Sequence, residues 1–191
     1  VIFDSKQNMR ISWRYVKSKF KLKPSFQSYF SCIGAPFEEI LQKLGITKKI
    51  KLIKKNYNLA SLQNLDKIKT YKNVNHLFKI LERKKISKSI VTSKNYERSK
   101  KFVKNFELKI DSLHCPNSKS PGKPNPYLIN EAIKLSGIKK NLVCYVGDTE
   151  IDFIAAKRAG IKFIFANYGY GVKKKKYKYK INSILDLKKF I

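Results

Sequence analysis

The stretch that most constrains this chain is the apolar run Leu142-Val143-Cys144-Tyr145-Val146, which breaks at Gly147-Asp148 and passes at once into the helix-like segment Ile151-Asp152-Phe153-Ile154-Ala155-Ala156-Lys157-Arg158-Ala159-Gly160. The run reads as a buried strand of a parallel sheet, and open α/β sheets bind ligands outside the carboxyl ends of such strands. Two carboxylates stand at that end, Asp148 in the turn and Asp152 in the first helical turn. Four residues apart, they lie on one side of the junction and suit a hard cation such as Mg²⁺, which takes one or two carboxylates together with waters and phosphate oxygens. Gly-Asp also marks ordinary turns, and acids at a helix N-terminus are favoured by the dipole, so a purely structural reading stands beside the metal-binding one.

The rest of the chain organises around this junction. From Tyr71 onward, helices and short apolar strands alternate. Val74, Leu77, Phe78 and Leu81 form a helix stripe before a strand at 89–91, a helix follows near 96–106, and strands near 109–113, 142–146 and 162–165 are separated by helices. Alternation of this kind predicts an α/β core, Rossmann-like and three-layered, with a parallel sheet between helices. Residues 5–70 read instead as a small all-helical cap. Met9, Trp13, Val16 and Phe20 recur at helical spacing behind Ser5 or Asp4 as N-cap. Phe37, Ile40, Leu41 and Leu44 share one face of a further helix that Gly45 stops. The predicted division is therefore a cap at 5–70 and a core at 71–191.

Two upstream segments carry chemistry of their own. Ser89-Ile90-Val91-Thr92-Ser93-Lys94 is a short apolar strand ending in hydroxyls, and a Thr hydroxyl with adjacent N–H groups can hold phosphate oxygens. Pro121-Gly122-Lys123-Pro124-Asn125-Pro126 precedes a helix near 127–136, with Pro126 suited to its first turn. Taken in order, these segments and Tyr145-Val146-Gly147-Asp148-Thr149-Glu150-Ile151-Asp152 resemble the second, third and fourth motifs of the haloacid dehalogenase superfamily. Asn167-Tyr168-Gly169-Tyr170-Gly171 resembles its phosphoglycolate-phosphatase-like branch.

The first motif of that family, Asp-x-Asp-Gly with the nucleophile and the acid/base, does not fit Val1-Ile2-Phe3-Asp4-Ser5-Lys6: there Lys6 would take the acid/base position. Asp4-Ser5 fit better as the later Asp-Ser pair that leads into the first cap helix. The expectation is thus a sequence truncated at its N-terminus, whose nucleophile and first core strand lie just ahead of Val1. Such a chain would be inactive as written, and poorly soluble or molten.

The resemblance implies a Mg²⁺-dependent phosphatase acting on a small phosphorylated metabolite, a phosphomonoester, through an aspartyl-phosphate. Asp148 would be the direct metal ligand, and Asp152 would hold a metal-bound water or the lysine. Thr92 and Ser93 would bind phosphate oxygens, with Thr92 and Lys123 in catalytic positions and Lys123 balancing negative charge. A catalytically silent binding or regulatory protein on the same fold is the alternative.

Composition narrows the field further. The 191 residues carry 43 Lys+Arg against 13 Asp+Glu, a formal charge of +30. That balance raises nucleic acid as a partner. Only Arg10, Arg14, Arg83, Arg98 and Arg158 supply the bidentate fork that phosphate and base recognition favours, and the lysines are spread, with the densest run at Lys173 to Lys180. A specific nucleic-acid role is therefore not expected, although loose binding at low salt is. No apolar run reaches the length of a membrane span. Cys32, Cys115 and Cys144 lack the close spacing of a zinc site or disulfide framework, and a reduced, cytoplasmic setting is expected.

Overall fold

A computed structural model describes residues 1–171 and 177–191. Part of the basic run at Lys173 to Lys180 therefore lies outside the described residues. The chain divides into two compact units, Phe3–Lys69 and a second made of Val1–Ile2 with Thr70–Ile191.

The first unit is helical. After the short strand β1 (Phe3–Asp4) come α1 (Lys6–Lys19), α2 (Phe26–Ser31), α3 (Phe37–Lys43) and α4 (Ile50–Gln63). Met9, Trp13 and Val16 form the buried stripe of α1, whereas Phe20 falls at its C-cap and is only partly buried. Ser5 occupies the N-cap position but makes no side-chain cap bond; Asp4 Oδ1 instead accepts the Lys6 N–H at 3.1 Å. Trp13 stacks on Tyr29 with ring centroids 4.4 Å apart, and the Tyr29 hydroxyl donates to that of Tyr57 on α4. The α1–α4 contact also buries a polar group: Asn8 donates to the Ser61 and Asn64 carbonyls and accepts from Ser61 Oγ at 2.6 Å. Every polar atom of the Asn8 amide thus has a partner, which removes the cost of burying it.

The strand β2 (Lys69–Thr70) leads into the second unit: α5 (Val74–Arg83), β3 (Ser89–Val91), α6 (Tyr96–Asn105), β4 (Ser112–His114), α7 (Tyr127–Ser136), β5 (Cys144–Gly147), α8 (Glu150–Ala159), β6 (Lys162–Ala166) and β7 (Lys180–Ile181), then a 3-10 stretch at Ile184–Phe190. Every strand pair in this core is parallel, in two ladders, β3-β4 and β5-β6-β7. Ala155, Ala159, Ile129 and Ile133 pack α8 against α7. Gly137 and Gly160, both with positive φ, end those helices, since a left-handed C-cap favours a residue without Cβ.

Among the described residues the two ladders share no strand pairing. The Thr92 N–H extends the β3-β4 ladder to the His114 carbonyl, so by alternation Val91 turns its own backbone groups to the opposite edge. That edge explains a burial contrast. β6, paired on both sides, is buried from Phe163 to Ala166, whereas Val91, Tyr145 and Val146 are only half-buried. Leu142 was expected to open β5, but it ends a 3-10 turn (Lys140–Leu142) and is 75% exposed. No described helix is long and apolar enough to cross a membrane.

Candidate active site

The β5–α8 junction is built by a capping box. Thr149 at the N-cap accepts the Asp152 N–H through its hydroxyl oxygen, and Asp152 Oδ2 in turn accepts the Thr149 N–H at 3.0 Å and the Thr149 hydroxyl at 2.8 Å. The Asp148 N–H adds a further bond to the same oxygen at 3.1 Å. Gly147 is required here because a Cβ on it would collide with the Asp152 side chain. The Asp152 carboxylate is therefore fixed by its own turn before anything distant reaches it.

The distant partner is Lys123, in the loop before α7. Its ammonium donates to Asp152 Oδ1 at 2.6 Å, to the Tyr145 hydroxyl at 2.9 Å and to the Val91 carbonyl at 3.5 Å. Tyr145 donates in turn to the Val91 carbonyl at 3.0 Å, so one side-chain cluster ties the end of β5 to the end of β3. Burial alone would raise the Asp152 carboxyl, but the adjacent Lys123 ammonium and the Thr149 donors outweigh it and hold the group below the usual carboxylate range. Burial likewise opposes the Lys123 charge, and Asp152 with Tyr145 overcomes that and raises the ammonium above the ordinary lysine value. The Tyr145 phenol, chiefly through burial, is pushed up to about 12 and stays a neutral donor.

Asp148 is held differently. Its Oδ2 accepts the Tyr170 N–H at 2.8 Å, and Gly169 and Gly171 on the loop after β6 lie so close that a Cβ on either would collide with Asp148. Among the described residues no donor reaches Oδ1. A buried carboxylate with one oxygen pinned by a backbone amide and the other unengaged has the hard oxygen chemistry that Mg²⁺ selects, so the donor set fits such an ion. Both oxygens of Asp152, by contrast, are taken by protein donors. Of the two roles expected for it, this geometry shows the contact with the lysine.

Thr92 stands at the carboxyl end of β3, where its hydroxyl oxygen accepts the Lys94 N–H at 3.2 Å, and Ser93 follows in the same loop. The structure thus brings Thr92, Lys123, Asp148 and Asp152, up to 60 residues apart in sequence, to the ends of β3 and β5. Outside the expected set, Tyr145, Tyr170 and Lys94 also belong to this neighbourhood. A tyrosine in an otherwise apolar strand, next to a Gly-Asp turn, was the available signal for the first of them.

A pyrophosphatase PpaX from Halalkalibacterium halodurans is 27% identical over 182 residues, covering 91% of this chain and 81% of the relative. A phosphoglycolate phosphatase from Aquifex aeolicus is 26% identical over 141 residues, covering 72% of this chain and 64% of the relative. A solved candidate phosphoglycolate phosphatase from Lactobacillus plantarum superposes with a TM-score of 0.91 at 18% identity, over 100% of this chain and 94% of that one. That likeness establishes the shared Rossmann-like α/β fold. Residues 1–166 match the haloacid dehalogenase-like hydrolase family, and the chain belongs to it.

Proposed function

We propose that this protein is the phosphate-handling body of a Mg²⁺-dependent phosphatase that takes a small phosphorylated metabolite. The observation that carries the reading is the pairing of an unengaged Asp148 oxygen with a locked Lys123–Asp152 pair at the carboxyl ends of β3 and β5. Relatives named as pyrophosphatase and phosphoglycolate phosphatase support the same substrate range.

In this reading each residue has a defined task. The Thr92 hydroxyl, whose oxygen already accepts from Lys94, keeps its proton for a phosphate oxygen, and the loop amides beside it add donors. Lys123 holds Asp152 ionised and in place, and its charge offsets the negative charge that gathers on the transferring group. The Tyr145 hydroxyl, accepting from Lys123 at 2.9 Å, helps to fix the ammonium. Asp148, with one oxygen pinned by Tyr170, would hold Mg²⁺, which supplies Lewis-acid charge to a phosphoryl oxygen when bound. Attack on phosphorus needs a carboxylate other than Asp148 and Asp152, which this reading assigns to the metal and to Lys123.

The test is hydrolysis of pyrophosphate and 2-phosphoglycolate by the natural full-length gene product, with Mg²⁺ and with chelator. Activity that requires Mg²⁺ and falls at least roughly 100-fold in Asp148→Asn is expected. Mg²⁺-dependent activity retained in that variant would overturn the assignment.

A further inference from the structure

The helix α8 buries Asp152, Ala155, Ala156 and Ala159 and turns Phe153, Ile154, Lys157 and Arg158 outward, where the surface is concave. Two adjoining hollows of about 550 and 240 Å³ lie along this face and share Phe153 and Lys157. Their floor is aromatic. Phe153 meets the Phe163 and Tyr177 rings edge to face, at 5.5 and 5.4 Å, and Tyr179 lines the smaller hollow beside Tyr177. The rim is basic. Lys157, Arg158 and Lys178 are exposed on it, and the Lys162 and Lys178 ammoniums stand 5.5 and 5.4 Å from the centre of the Tyr179 ring. Arg158 spends one N–H on the Pro124 carbonyl at 3.2 Å, but among the described residues none of these four cations forms an ion pair. Glu150, at the start of the helix, is the acid among the described residues that line the hollows.

Charge decides what such a face can take. A second copy of this chain would bring its own formal +30, so the occupant is anionic. Protein interfaces favour arginine and are poor in lysine, whereas Lys157, Lys162 and Lys178 supply most of the charge here. A duplex keeps its bases stacked inside and would leave the ring floor unused, but a single strand can lay bases on rings while lysines hold its phosphates. We propose that this face of α8 binds single-stranded nucleic acid without preference for sequence, with phosphates on Lys157, Lys162 and Lys178 and bases against Phe153 and Tyr179. The indifference to sequence follows from the same residues: an ammonium is a point charge without the fork that reads base edges, and a ring stacks on any base. The inference stands apart from the phosphatase reading, because Thr92, Lys123, Asp148 and Asp152 do not line these hollows.

The experiment follows the fluorescence anisotropy of a labelled oligothymidylate as the 191-residue chain is added, beside a mixed-sequence strand and a duplex of the same length, over a range of salt. The two single strands are expected to bind within about threefold of each other and about tenfold more tightly than the duplex. Replacing Lys157 and Lys178 together by Ala should lower the slope of log K against log salt by about 1.4, for two lost phosphate contacts. The same change at Lys100 and Lys104, exposed on α6 and equal in charge, should alter affinity less than about twofold. Phe153→Leu keeps an apolar side chain and removes the ring, and should weaken single-strand binding about fivefold. The comparison of single strand with duplex uses the parent chain and decides the matter even where Phe153→Leu fails to fold. Equal weakening by the two lysine pairs would show a general charge effect and overturn the proposal, as would a duplex bound as tightly as the single strands. Displacement of the strand by polyglutamate as readily as by unlabelled oligothymidylate assigns the face to an acidic protein and also overturns it.

Discussion

The two strand-to-helix junctions at the candidate site are built on opposite plans. At β5–α8, Asp152 Oδ2 receives three hydrogen bonds from its own turn and Oδ1 a lysine at 2.6 Å, and glycines clear the space around both carboxylates. At β3–α6, Thr92 has one local bond to its hydroxyl oxygen, and among the described residues the Lys94 ammonium donates no hydrogen bond. The first junction is pre-organised by the protein, and in the proposed function the second is completed by a ligand. Charge that must be present throughout a reaction is fixed in advance, where reorganisation would cost rate. Donors meant for a substrate must stay available, and a side chain already satisfied by the fold binds nothing. The comparison predicts that damage at β5–α8 appears as lost stability, and damage at β3–α6 as lost affinity.

The largest effect is expected from Lys123→Met, which strands the Asp152 carboxylate among buried groups. Breaking one partner of a buried ion pair costs about 3–5 kcal/mol, and both members here are buried, with side-chain exposures of 10% and 7%. Urea unfolding at pH 7 measures it; a change under 1 kcal/mol would show that the pair carries little of the stability. The same variant makes a pH prediction with a definite sign. In the parent, Asp152 titrates below its ordinary value, so its contribution is complete above about pH 4 and is lost as the pH falls through the lowered value. Without the cation, burial raises that carboxyl, and stability should decline as the pH rises from about 4 to 7. The gap between parent and variant should therefore widen with pH, and a pH-independent gap would contradict the charge argument.

Gly147→Ala comes next. Its Cβ would meet Asp152 beside a paired strand, and overpacking of this kind costs about 1–3 kcal/mol. Thermal melts report the loss, and an unchanged melting temperature would mean that the junction can shift more freely than its bonding implies. Thr149→Ala removes the cap hydroxyl and should cost about 1 kcal/mol, read from the same unfolding curves. The smallest stability effect belongs to the open junction: Thr92→Val should stay within about 0.5 kcal/mol of the parent, yet weaken methylphosphonate binding measured by calorimetry. A large stability loss in that variant would erase the contrast between the junctions.

Much of this plan was legible in the sequence. The β3 strand, the α7 and α8 helices and the Gly147-Asp148 turn follow from apolar runs, a proline near a helix start and acidic residues at a helix N-terminus, all local signals. The long helix α4 was not legible as a separate element, because its buried face includes Asn56, Tyr57, Ala60 and Ser61 and so lacks a clean apolar stripe. β7 is two residues long and too short to leave a pattern. At the site, Thr92, Lys123, Asp148 and Asp152 could be named from motif order, and the loop Asn167-Tyr168-Gly169-Tyr170-Gly171 was visible as a segment without a task. Its task is a backbone N–H placed against Asp148 by a chain reversal after β6, and an amide contact leaves no residue-type signature.

The sequence by itself determined where strands give way to helices and which acidic, basic and hydroxyl residues stand at those points, because capping, chain reversal and apolar periodicity act over a few neighbouring residues. Only the tertiary structure decided how those groups divide their work: Lys123 spent on Asp152, Tyr145 and Val91, and one Asp148 oxygen pinned and the other left. Each of those facts is a matter of which donor lies within about 3 Å of which acceptor, and that is set by the packing of strands distant in the chain, which no local pattern encodes.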